Sequence, residues 1–147
     1  MKKIGIDFDN TIVVYNNLFY KIAVDKKLIP AEFPKNKIKI RDFLRNQNKD
    51  HEFTKLQSEV YGKRILDAEP APNIFQSLLK IKEEFKLIII SHKTKYPYSG
   101  TKYNLHDAAI SWLEKNYFLS SHGLNLSYED IFFCTTKDVK LETINNS

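Results

Sequence analysis

Cysteine is nearly absent: the 147 residues contain one, Cys134. A lone thiol excludes a disulfide framework, and no cysteine–histidine spacing suits a structural zinc site. A reducing, cytoplasmic setting is therefore expected. No apolar run approaches the roughly 20 residues needed to span a bilayer, and residues 1–6 are too short for a secretory leader, so no membrane partner is expected. A basic stripe is missing too. The lysines at 26–27, 35–39 and 93–102 lie far apart, and neither an RNA-binding signature nor a helix-turn-helix pattern is present. The net charge of +5 fits an anionic substrate; it would also fit a nucleic-acid backbone, though dispersed lysines ordinarily form a solvated surface.

What is present is globular. An apolar fraction of 42% and a charged fraction of 28% are values of a packed domain, and the length allows a real core. The most informative stretch opens the chain: Lys2-Lys3-Ile4-Gly5-Ile6-Asp7-Phe8-Asp9-Asn10-Thr11. A short apolar strand ends in two carboxylates spaced i, i+2, which the period of a strand points to one side. Open α/β sheets bind ligands at the carboxyl ends of their strands. Two acids there suit phosphoryl chemistry, one attacking and the other moving a proton. The competing reading is a strand-ending turn with solvated aspartates and a capping threonine.

Two further strands follow. Residues 86–94 hold a continuous apolar run, as in a strand buried on both faces of a parallel sheet, and it ends at Ser91. Residues 130–136 form the third, with Lys137 and Lys140 at the start of a helix behind it. Strand–Asp, strand–Ser and strand–Lys, in that order, resemble motifs I, II and III of the haloacid dehalogenase (HAD) superfamily, in its phosphatase form. The resemblance covers residues 1–14 and about 70–144.

It implies a three-layer, Rossmann-like α/β core with a parallel sheet, formed by 1–14 and 70–147, and a small α-helical cap at 15–69, inserted after strand 1. It implies an Mg²⁺-dependent phosphomonoester hydrolase. Asp7 would be the nucleophile, Asp9 the general acid/base and Thr11 the residue that orients them. Ser91 would bind the phosphoryl group, and Lys140, or alternatively Lys137, would neutralise its charge. Mg²⁺ would rest on Asp7 and on Asp9. The family's fourth motif, one or two acids after a further strand, has no counterpart before Ser147, and Asp107, Glu114 and Glu142 are not obvious substitutes. That strand would flank the first, so strand 1 is expected at a sheet edge. A shortened protein, a partner supplying the missing piece or a homodimer would each account for it.

Between Thr11 and Ser91 lie 79 residues, more than one crossover helix requires. Helices are expected at 18–27, at 50–65 with Phe53, Leu56, Val60 and Tyr61 on one face, and at 73–85. Residues 38–40 read as a short strand, although 41–45 look helical. Tyr15, Phe19, Tyr20 and Tyr61 either line the inner wall of the cap or form its core. The polar and aromatic loop at 92–103 leaves the ligand end of strand 2. From it His92 and Lys93, together with Asn10 and Lys137, are candidate substrate contacts, and Lys95 and Lys102 could reach a leaving group. Asn104 reads as the cap of a helix that buries Leu105, Ala108, Ala109, Trp112 and Leu113. A small phosphorylated metabolite is the expected substrate. The alternatives are a polynucleotide 3′-phosphatase or nucleotidase, and an inactive module that binds a phosphorylated ligand or a protein.

Overall fold

The computed structural model describes residues 1–98 and 102–146; residues 99–101 of the long loop and Ser147 lie outside the described residues. Chain order runs β1 (Lys3–Ile6), β2 (Val13–Val14), α1 (Asn16–Asp25), α2 (Lys37–Asn46), α3 (Asp50–Ser58), a π turn at Glu59–Lys63 and a 3₁₀ turn at Ile65–Asp67. It continues with β3 (Glu69–Pro70), α4 (Ile74–Lys82), β4 (Lys86–His92), α5 (Leu105–Lys115), β5 (Ile131–Cys134) and α6 (Lys137–Asn146). No helix among the described residues is long and apolar enough to cross a membrane.

The main sheet has the order β1-β4-β5, with both pairings parallel. β4 lies centrally, which explains why its sequence is an unbroken apolar run, buried from Leu87 to Ser91. β1 and β5 are the edges, and an edge position for β1 is what the resemblance implied. Alternation separates the two faces. Ile4, Ile6, Leu87 and Ile89 join the large core with Phe8 and Trp112, whereas Ile88, Ile90 and Cys134 form a small separate cluster on the other face. α6 packs over that second face. Beside β1 it leaves an open groove of about 570 Å³ between Gly5, Ile88, Ile90 and Ile144.

The inserted segment does not keep a core of its own. Phe19, Ile22, Leu44, Phe53 and Val60 belong to the same contiguous cluster as Phe8, Ile89 and Trp112. Trp112 is fully buried, and its indole N–H donates to the Ala68 carbonyl at 2.9 Å, tying α5 to the end of the insert. Trp112→Phe keeps an aromatic ring at the position but removes the indole N–H, leaving that carbonyl without this donor and a small void. We expect a loss of about 1–2 kcal/mol, read as a lower urea midpoint.

Two local expectations are corrected. Residues 38–40 are not a strand but the first turns of α2, because Asn36 caps the Lys39 N–H at 2.9 Å and Ile40 and Leu44 bury at helical spacing. The expected single helix over 50–65 breaks into α3, the π turn and the 3₁₀ turn. In the π turn Gly62 lies so close to Tyr103 that an added Cβ would stand 3.1 Å from the tyrosine Cβ. The helix expected at 73–85 is α4, somewhat shorter, and α5 begins as expected, with Asn104 Oδ1 accepting from the N–H groups of His106 and Asp107.

Candidate functional site

The turn after β1 sets the site. Phe8 is buried, and its carbonyl accepts from the N–H of Ile12 at 2.9 Å, while the Asn10 N–H donates to the Val13 carbonyl at 2.8 Å. Asn10 has φ 62°, a left-handed conformation that asparagine tolerates better than most side chains. This tight loop carries Asp7 and Asp9 out of the sheet's carboxyl edge. Ser91, fully buried near the end of the neighbouring β4, stands in the same cleft, of about 550 Å³. The cleft also takes in Asp7, Asp9, Asn10, His92, Lys137 and Lys140.

The two aspartates have different partners. Asp7 Oδ1 accepts from the Phe8 N–H at 2.8 Å, and its Oδ2 faces the Lys140 ammonium at 3.6 Å. Lys140 rides on the first turn of α6, where Thr136 Oγ1 accepts from the Val139 N–H and caps the helix. Lys137 lines the same cleft from an exposed position. Of the two lysines that the sequence left open, Lys140 is therefore the one at the aspartate.

Asp9 is held more tightly. The Tyr15 hydroxyl donates to Oδ1, and the Lys93 ammonium reaches both carboxylate oxygens at 3.2 and 3.1 Å. Burial pushes the Tyr15 phenol well above its usual range, and the adjacent Asp9 charge adds to this. Tyr15 consequently stays protonated, a fixed donor to the carboxylate. Lys93 is held at its backbone as well: its N–H donates to the Cys134 carbonyl at 2.8 Å, and its carbonyl meets the His106 ring at 2.7 Å. Its ammonium stands 5.5 Å from the Phe8 ring centre and 5.1 Å from that of Tyr61, so aromatic side chains box in the ammonium while Asp9 opens to the cleft.

Lys93 is thus at the site, but its charge is directed at Asp9. Thr11 is exposed, and the contacts that orient Asp9 come from Tyr15 and Lys93. His92 lines the cleft while its ring meets the Thr135 carbonyl at 3.1 Å. Lys95 lies over the ring of Tyr96, and Lys102 is exposed. Tyr15 and Phe19 are buried in the core, whereas Tyr61 is half-buried and faces the cleft.

A second compartment, about 410 Å³, continues past Asp9 and Asn10 toward the insert. Lys37, Gln57, Tyr61, Lys93 and Tyr98 are among the residues around it. Lys37 escaped the sequence reading, because nothing in the lysine-rich stretch at 35–39 distinguishes one lysine from the next.

Among the described residues no group of three histidine, cysteine, aspartate or glutamate side chains converges. Asp7 and Asp9 are the carboxylates lining the cleft that could hold Mg²⁺. This ion is commonly held by one or two carboxylates, with water and substrate phosphate completing its oxygen shell. Each aspartate already faces a cation, Asp7 Oδ2 the Lys140 ammonium at 3.6 Å and both Asp9 oxygens the Lys93 ammonium, so a metal ion there has to share those carboxylates with the lysines. Comparison with protein-family models, curated proteins and solved structures gives no match.

Proposed function

We propose that the chain is an HAD-type phosphomonoester hydrolase acting on a small phosphorylated substrate. One observation carries this reading: at the end of parallel strands, Asp7, Asp9, Ser91 and Lys140 converge on one cleft, and each aspartate has its own lysine. Asp7 attacks phosphorus in line and forms an aspartyl-phosphate. Asp9, held by Tyr15 and Lys93, takes a proton from the water that hydrolyses the acyl-phosphate and gives that proton to the leaving oxygen of the next substrate. A carboxyl that must do both benefits from a fixed position, which those two contacts supply. The Ser91 hydroxyl and the Lys140 ammonium hold the phosphoryl oxygens. Mg²⁺ on Asp7 and Asp9 would add charge neutralisation at those oxygens.

Hydrolysis of p-nitrophenyl phosphate with Mg²⁺, and again after chelation, tests the reading. Turnover that needs Mg²⁺ is expected, with Lys140→Met lowering kcat by about 100-fold, the usual effect of removing one group that stabilises developing charge. A phosphate-binding module is the second reading, favoured by the absence of a third convergent metal ligand among the described residues. It predicts binding of inorganic phosphate without turnover of the ester.

A further inference from the structure

The insert side of the cleft carries a cation that hydrolysis, as derived above, does not use. Lys37 opens α2, and that end of the helix is pinned: the Lys37 N–H donates to Asn16 Oδ1 at 3.0 Å, and Asn36 caps the same turn. The Lys37 ammonium donates to the Tyr61 hydroxyl at 2.6 Å and stands 5.5 and 5.3 Å from the ring centres of Phe19 and Tyr61. Its other donors have no carboxylate within ion-pair distance among the described residues. Lys93 differs, because Asp9 satisfies it. A half-buried ammonium compensated only by a phenol and ring faces is poorly matched, and burial accordingly lowers its pKa while the Asp9 charge opposes that shift.

Position gives this cation a purpose. Asp9 borders both compartments, so a phosphoryl group on Asp7 places the leaving group past Asp9, on the side of Lys37. Because Lys37 donates to the Tyr61 oxygen, the phenolic proton is directed elsewhere, and burial together with the Asp9 charge raises the Tyr61 pKa, keeping that proton in place. Gln57 adds an amide donor on the same wall.

We propose that Lys37, with Tyr61 and Gln57, forms a subsite for a second anionic group, so that the substrate is a phosphomonoester whose leaving group is itself acidic. A carboxylate and a second phosphate share the required chemistry. This assignment rests on the phosphatase reading, since that reading fixes which end of the substrate meets Asp7.

Calorimetric binding to the 147-residue Asp7→Asn protein in Mg²⁺ buffer tests it without turnover. The probes are inorganic phosphate, glycerol 3-phosphate, 3-phosphoglycerate and propane-1,3-diol bisphosphate. We expect at least one of the two diacidic ligands to bind about tenfold tighter than glycerol 3-phosphate, which corresponds to one matched charge contact. Whichever one does so identifies the second acid. The preference should vanish when Lys37→Met is added and persist with Lys37→Arg; Lys37→Gln serves if the methionine variant fails to fold. Binding of all the esters without preference, or a preference that survives Lys37→Met, overturns the subsite alone. Failure of every probe, inorganic phosphate included, overturns the phosphatase reading and the subsite with it.

Discussion

Asp7→Asn is expected to lower kcat for p-nitrophenyl phosphate by about four orders of magnitude, equivalent to about 5.4 kcal/mol of barrier. The amide is nearly isosteric and can still accept from the Phe8 N–H, so the turn after β1 should persist. What disappears is the nucleophilic oxygen, together with half of the negative charge available to a cation. Phosphate binding should be retained or strengthened, because Lys140 loses its internal competitor and is left to the ligand. A steady-state assay combined with phosphate calorimetry checks both halves. Residual turnover within tenfold of the unaltered chain would remove Asp7 from the chemistry.

Asp9→Ala should have the largest effect on stability, about 2–3 kcal/mol. The Lys93 side chain is only 4% exposed, so removal of its carboxylate leaves a buried ammonium without a counter-charge. Asp9 itself is 26% exposed, which is why the expected loss lies below that of a fully buried pair. The pair also makes the effect asymmetric. Lys93→Met fills the aromatic box with an apolar chain, and it leaves an aspartate that still has Tyr15 and access to water, so about 1 kcal/mol is expected. The double variant Asp9→Ala/Lys93→Met should then be more stable than Asp9→Ala alone. Urea denaturation of the three variants decides this; additive losses would show that the two charges do not depend on each other.

The strands were legible because burial writes them into one dimension. Leu87 to Ile90 form an unbroken apolar run, as a strand buried on both faces requires, and Asp7 and Asp9 follow directly on the short apolar β1. The edge position of β1 followed from the resemblance, and the observed order β1-β4-β5 agrees with it. The polar clamps were not legible. Lys93 appeared as a loop residue available to substrate, yet it lies 84 positions from the aspartate it neutralises, and no local pattern encodes such a pair. Tyr15 was open between inner wall and core; it is buried with its hydroxyl on Asp9, brought there by the tight turn through Asn10. The π turn escaped notice because Phe53, Leu56 and Val60 keep a helical apolar spacing straight into it. Periodicity reports which side is buried, not how the backbone widens around Gly62.

Covalent capture of the intermediate tests the central claim most directly. With p-nitrophenyl phosphate the leaving group departs with little need of an acid, whereas hydrolysis of the acyl-phosphate still needs a base. Asp9→Asn should therefore form the aspartyl-phosphate and stall there. Acid quenching, borohydride reduction and peptide mass spectrometry are predicted to find homoserine in place of Asp7, and nowhere else. Release of nitrophenol with Asp7 unmodified, or no release at all from either the unaltered chain or the variant, would contradict the account.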